Sequence, residues 1–332
     1  PGLSRRAMWP AGIDRRRPLP TFAPVTLQQW FADRGGSANP DGRRVVLFPD
    51  TFNNHLHTEV GVACVEAIEA AGWQVVMPEV HVCCGRPLYD YGFLDAARRY
   101  LHRVLDVLRD DIRAGTPVVG MEPSCLAVFK DELGTLLPHD DDGQRLARNS
   151  YHFAEFFTAF DIEAPPLHRD ALVWGHCHHR ATGGMTAEHQ LLRRMGMTVQ
   201  PLHGGCCGLA GSWGFENGKY EISLQCGEQA LLPAVRSADP DTVIVADGFS
   251  CKTQIEQAGT GRGALHVAQV MKMARDHNAN RYPSAFPEQQ FNHIRPAPGL
   301  AHRLAMLGIC LAAIAAVVWR VLETDRGNSR AD

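Results

Sequence analysis

The chain has 332 residues, 45% of them hydrophobic and 21% charged, with a formal net charge of −3. That is length enough for two ordinary domains with sizeable cores. The charge balance gives no sign of nucleic-acid binding, and ten cysteines are too few for a disulfide scaffold of this length.

Residues 1–44 are rich in Pro, Arg and Gly and read as a linker or docking arm. No apolar core of a signal peptide is present there, so a reducing compartment is expected, where clustered cysteines are metal ligands or catalysts. The start on Pro1 rather than methionine points to a piece of a longer chain. From Arg44 strands and helices alternate. "VVLFP" (45–49) is a strand, and the stripe Val60, Ala63, Cys64, Ala67, Ile68, Ala71 is a helix stopped by Gly72. "WQVVMP" (73–78) is a second strand and leads to Cys83-Cys84-Gly85. One long helix is expected over 93–114. "PVVGM" (117–121) is a third strand, ending in Glu122-Pro123-Ser124-Cys125, and helices fill much of the stretch to Phe160.

The order then repeats. "ALVWGH" (171–176) runs into Cys177, and a helix covers about 185–195. "TVQPL" (198–202) leads to Cys206-Cys207-Gly208, followed by a helix over about 220–235. "TVIVAD" (242–247) ends in Gly248-Phe249-Ser250-Cys251, and "LHVAQVMKMA" is a final helix. The halves align at an offset of 123 to 127 residues. Alternating strands and helices imply a parallel sheet in each half. The expected class is therefore α/β: two duplicated repeats at 45–165 and 166–280, a linker at 281–303 and an apolar helix at 304–322.

Ligands of open α/β sheets bind beyond the carboxyl ends of the strands. Cys177, Cys206, Cys207 and Cys251 all fall there, which is the number of thiols that holds an iron–sulfur cluster or a structural zinc. Neighbouring residues on a strand point to opposite faces, so the backbone must turn for both thiols of a pair to reach one centre. Glycines 204, 205 and 208 permit such a turn. In the first half Cys83, Cys84 and Cys125 occupy the same places, and Asp50 is taken as the counterpart of Cys177. Three thiols with Asp50 or a histidine (His55, His57 or His81) could hold a metal, or the site could be decayed. A hard carboxylate matches soft iron poorly, so the first half is expected to bind its metal more weakly, or not at all.

Cys64 and Cys226 read as packed helix positions, and Cys310 lies in the apolar tail. His176, His178 and His179 flank Cys177, and at most one or two of them can face one site. His203 could act as a second layer, and Asp247 could tune the centre or cap a helix. No G-x-S-x-G elbow, G-x-G-x-x-G after a strand, or P-loop is present. A thiol–disulfide catalyst ordinarily uses C-x-x-C rather than adjacent cysteines.

The segments "GHCHHRA", "CCGLAGSWG" and "ADGFSCKTQI", with "DTF", "CCGRP" and "EPSC" before them, resemble the duplicated CCG cysteine-rich domain over roughly residues 44–272. That module occurs in one of the subunits of heterodisulfide reductase and in the iron–sulfur subunit of glycolate oxidase. The particular motif forms are closest to the C-terminal part of fused FAD- and iron–sulfur-binding D-2-hydroxy acid dehydrogenases of the D-lactate type. The family's final C-x-x-C is reduced here to Cys125 and Cys251 alone, which leaves a four-cysteine site in the second half. The resemblance implies a 4Fe–4S cluster there, with zinc as the alternative. It further implies FAD on a partner domain or subunit, a quinone or cytochrome acceptor, and no substrate chemistry on this chain. The rival reading is a zinc-binding interaction module.

The tail "LAMLGICLAAIAAVVWRVL" (304–322) has 16 residues without a charge from Leu304 to Trp319. As a helix these span about 24 Å, short of a hydrocarbon core of about 30 Å unless Arg303 and Arg320 snorkel. The expectation is a membrane anchor, or else a buried helix, with the protein cytoplasmic at the inner face of the membrane.

Overall fold

A computed structural model describes residues 12–277 and 285–290. The tail 304–322 and Cys310 lie outside the described residues. No helix among them is long and apolar enough to cross a membrane.

In chain order the first half comprises α1 (Leu27–Asp33), β1 (Arg44–Phe48), α2 (Thr51–His55), α3 (Thr58–Ala70), β2 (Gln74–Val76), α4 (Arg86–Asp90), α5 (Leu94–Val107) and α6 (Arg109–Ala114). It continues with β3 (Val118–Gly120), α7 (Pro123–Ala127), α8 (Leu133–Leu136), α9 (Asp141–Arg148), β4 (Ser150–His152) and α10 (Phe153–Ala159). The second comprises β5 (Asp170–Trp174), α11 (Cys177–Thr182), α12 (Thr186–Arg194), β6 (Thr198–Leu202), α13 (Tyr220–Glu228) and α14 (Leu231–Ser237). β7 (Val243–Val245), α15 (Phe249–Gln257) and α16 (Val267–His277) complete it.

All pairings between these strands are parallel, in the orders β2-β1-β3-β4 and β6-β5-β7. The duplication is thus visible as one topology used twice, with β4 added to the first sheet. β4 escapes a reading of the sequence because Ser-Tyr-His carries no β-branched run; its pairing with β3 makes it a strand. The helix expected over 93–114 is two helices that meet at Leu108, whose side chain is buried with Leu105 and Ile112.

The strands are apolar on both faces, as a parallel sheet covered by helices requires. Val45 and Leu47 point to one core, and Val46 and Phe48 to another. Ala171 and Val173 share the first of these cores with Val45, while Leu172 and Trp174 enter a third. One core therefore lies between the two sheets and belongs to both repeats. Its helices cross over: α16 of the second repeat packs on α3 of the first, and α10 of the first packs on α12 of the second. Burying each large aliphatic side chain contributes about 1.5–3 kcal/mol, so neither repeat retains this stabilisation alone.

The N-terminal arm is structural. Asp14 N–H donates to the Phe215 carbonyl at 2.7 Å, and Ile13 bridges Glu216. Arg17, 1% exposed, donates to the Gly214 carbonyl and the Ser223 hydroxyl. The chain then crosses to the first repeat, where Leu27 enters the shared core against Gly61.

Candidate metal centre

In the second repeat β5, β6 and β7 lie side by side, and the residues beyond their carboxyl ends converge. Cys206 lies within hydrogen-bonding reach of Cys177 and Cys207, and Cys207 within reach of Cys251. The four thiols thus form one contiguous group. The Cys206 thiol is pushed far below its ordinary range, first by the hydrogen bond with Cys177 and then by that with Cys207. Cys177 is pushed up, first by its bond to Cys206 and then by burial; Cys207 is pushed up by its bonds to Cys206 and Cys251 and by burial. The Gly208 N–H donates to Cys206 Sγ at 3.3 Å, a contact that suits a thiolate. Cys207 and Cys251 are buried and Cys177 and Cys206 half-buried, so the group opens towards one side.

The turn behind this arrangement rests on Gly208. Its φ is +96°, and a Cβ there would stand 2.0 Å from the Ser223 carbonyl oxygen. Gly204 is required by close approach to the Trp174 ring, whereas a Cβ at Gly205 meets nothing within 4 Å. Arg180, one turn beyond Cys177 on α11, donates to the carbonyls of both Gly204 and Gly205 and fixes the approach to the cysteine pair.

In the first repeat the Cys84 and Cys125 sulfurs are 2.9 Å apart, and Cys83, a free thiol like both of these, lies within hydrogen-bonding reach of Cys84. The fourth position needs correction. Phe48 and Trp174 are the last residues of β1 and β5, so Thr51 corresponds to Cys177 and Asp50 to His176. The structure agrees: Thr51 Oγ1 donates to Cys83 Sγ at 3.9 Å, while Asp50 and His176 are the N-caps of α2 and α11. Both Asp50 oxygens are occupied, Oδ1 by the Phe52 and Asn53 N–H groups and Oδ2 by Asn53 Nδ2. Burial pushes its carboxyl up to about 6.

The histidines separate. His176 and His178 each bring a ring nitrogen within 4.8 Å of Cys177 Sγ, while His179 turns inward. His178 Nε2 also meets Arg86 Nη2 at 2.9 Å, a contact between the repeats. His203 is exposed, and the rings of His55 and His81 lie 5.9 Å apart, tilted by 50°. Cys64 packs in the shared core, and Cys226 lies half-buried on α13. Asp247 accepts from Val267 N–H at 2.8 Å and so caps α16.

The two cysteine groups are neighbours, because α7, which carries Cys125, packs on α11, which begins at Cys177. Phe52 stacks on Phe249 at 4.4 Å beside them. Glu122, absent from the sequence-based candidates, joins the two halves. Its Oε1 caps α7 through Ser124, and its Oε2 accepts from Phe249 N–H at 2.8 Å at the start of α15. Gly248, the counterpart of Glu122, offers no side chain for that bond. Burial first, and the Asp50 charge second, push the Glu122 carboxyl up to about 7. Each lost cap costs about 1 kcal/mol. Glu122→Ala is therefore expected to destabilise the protein by about 2 kcal/mol in denaturant unfolding, and Glu122→Gln by clearly less, since an amide oxygen still accepts from Phe249.

These paired turns are matched by the CCG cysteine-rich domain at residues 48–130 and again at 175–256. The chain belongs to the CCG cysteine-rich domain family. Its cysteine-rich domains are similar to those of several curated proteins. One of them, a subunit of the anaerobic glycerol-3-phosphate dehydrogenase of Escherichia coli (strain K12), is 27% identical over 252 residues, 74% of this chain and 63% of that protein. This chain thus spans less than two thirds of that relative. D-2-hydroxyglutarate dehydrogenase of the same strain is 25% identical over 241 residues, 71% of this chain and 23% of the dehydrogenase. Lactate utilization protein A of Geobacillus kaustophilus is 28% identical over 247 residues, 69% of this chain and 98% of that protein.

Proposed function

We propose that Cys177, Cys206, Cys207 and Cys251 hold a 4Fe–4S cluster, and that the chain relays electrons within a flavin-dependent D-2-hydroxy acid dehydrogenase of the D-lactate or glycolate type. The FAD lies on another domain or chain, and the acceptor is a quinone or cytochrome. The observation that carries this reading is the contiguous group of four thiols at three neighbouring strand ends. The donor set fits: four soft sulfurs, one already receiving a backbone N–H. When bound, such a cluster supplies one-electron storage between a two-electron flavin and the acceptor. The chain's own residues hold and tune it. Gly208 N–H stabilises charge on Cys206, and Arg180 fixes the loop that presents the pair. The relatives' names point the same way: two are dehydrogenases or subunits of one, and a third serves lactate utilization. Attachment to the inner face of a membrane through residues 304–322 belongs to the same proposal and is checked by membrane fractionation.

The test is anaerobic purification of the full chain with iron, sulfide and zinc analysis. A brown protein with iron and sulfide supports the reading; a colourless protein with zinc on the four thiols overturns it. The chain by itself should not oxidise D-lactate with a dye acceptor, and turnover without a flavin partner would count against the division of labour.

The correction at the first repeat gives a further expectation. Thr51→Cys supplies a fourth thiol where Cys177 stands in the second repeat, so iron per chain should rise. Asp50→Cys should not raise it and should cost about 1 kcal/mol through the lost cap. Iron analysis of the two variants separates Thr51 from Asp50 as the ligand-equivalent position.

A further inference from the structure

Behind the cysteine group lies a second set of metal-ligating side chains. His179 on α11, Glu188 on α12 and Asp247 after β7 each bring one nitrogen or oxygen within 4.8 Å of the others. His179 is fully buried and Glu188 is 1% exposed. Both ring nitrogens of His179 and both carboxylate oxygens of Glu188 lack a hydrogen-bond partner among the described residues. His179 Nε2 and Glu188 Oε1 face one another at 3.2 Å without the alignment of a hydrogen bond. His152, at the end of β4, stacks its ring on that of His179 at 3.5 Å, and its Nε2 is also unpartnered. Lys130, a cation that acts on Glu188, is already bonded to Glu155 at 2.5 Å.

Leaving buried polar groups unpaired costs about 1–3 kcal/mol each, and more for charged groups. Several such atoms in one place, without a neutralising partner, are a poor end state for a protein interior. A divalent cation takes one ring nitrogen of His179 together with a carboxylate oxygen from each of Glu188 and Asp247, which answers the buried charge and leaves the other His179 nitrogen to carry its proton. Two donors on a tetrahedral zinc, each about 2.0–2.1 Å from it, stand about 3.3 Å apart, close to the observed separation of His179 Nε2 and Glu188 Oε1. The set is nitrogen and oxygen only, which suits zinc and is ill-matched to an iron–sulfur cluster.

We propose that His179, Glu188 and Asp247 form a buried zinc site, with His152 as an adjacent nitrogen donor. The ion would tie α11, α12 and the turn after β7 into one block. The first of these segments begins at Cys177 and the last leads into α15, which carries Cys251, and His152 adds a link to the first repeat. The ion is structural: it has no open path to substrate and takes no part in redox chemistry. The inference does not depend on the iron–sulfur reading, since it uses none of the cysteines.

The test is zinc analysis and zinc X-ray absorption on the anaerobically purified full chain. The expected result is about one zinc per chain, with a first shell of nitrogen and oxygen near 2.0–2.1 Å. In Glu188→Gln the zinc should fall at least tenfold while iron per chain is kept. The absorption readout on the unmodified protein stands even if that variant fails to fold. A zinc shell of sulfur near 2.3 Å would place the ion on the cysteines and overturn the proposal. So would a protein that retains no zinc after incubation with one equivalent, which would leave a protonated carboxyl–histidine network in its place.

Discussion

Cys206→Ser is expected to strip the iron from the second repeat and to lower electron transfer from the flavin partner to the acceptor by more than about a hundredfold. Losing a partner one layer outside a metal costs about 10–100-fold, and loss of a direct ligand costs more. Cys206 has the strongest case among the four thiols. It touches both Cys177 and Cys207, and it receives the Gly208 N–H. Serine keeps the size but replaces a soft thiolate by a hydroxyl that remains protonated. Cys226→Ser is the matched control, because Cys226 sits on α13 outside the group, and its iron content and turnover should not change. Full iron and full turnover in Cys206→Ser would falsify the assignment of this group as the cluster site.

Gly208→Ala is expected to destabilise the protein by about 2–5 kcal/mol. The left-handed conformation contributes about 1–2 kcal/mol of this, and forcing a methyl into filled space about 1–3 kcal/mol. The obstacle is the Ser223 carbonyl oxygen, a backbone atom of α13 that cannot swing aside, and Cys226 Cβ lies 3.0 Å away on the same helix. Since total stability is commonly about 5–15 kcal/mol, the variant should unfold at markedly lower denaturant concentration and yield little cluster. Gly205→Ala forms the contrast. A Cβ there meets nothing within 4 Å, so a change within about 0.5 kcal/mol is expected. Gly85→Ala, with φ +79° and the Tyr100 Cβ at 3.3 Å, should fall between the two. Equal stability of the Gly205 and Gly208 variants would remove the steric account of the Cys-Cys-Gly turn.

Much of this protein is legible from its residues because the causes are local. Val45–Phe48 and Ala171–Trp174 are short, apolar on both faces and rich in β-branched or aromatic residues, the pattern of strands buried in a parallel sheet. Gly72 and Gly115 end their helices in left-handed conformations with φ of +81° and +73°. The cysteine pairs mark the strand ends by themselves, since no packing need explains adjacent thiols followed by glycine.

What the residues leave open is decided by contacts distant in sequence. Asp50 and Thr51 are neighbours, and either could be paired with Cys177 from the motif alone. Only the ends of β1 and β5, fixed by hydrogen bonds to β3 and β7, set the register that makes Thr51 the counterpart and Asp50 a helix cap. Glu122 reads only as the residue that follows the third strand; the Phe249 N–H from which it accepts is 127 residues away. His176, His178 and His179 look equivalent in "GHCHHRA". Helical rotation turns His179 inward to Glu188 and leaves its neighbours near Cys177. The repeats read as two separate units, yet the exchange of α10 and α16 gives them a common core. Periodicity and glycine placement act over a few residues, and so the sequence by itself determined the duplication, the sheets and the cysteine turns. Register, shared burial and the partners of buried charges depend on which surfaces meet, and only the tertiary structure decided those.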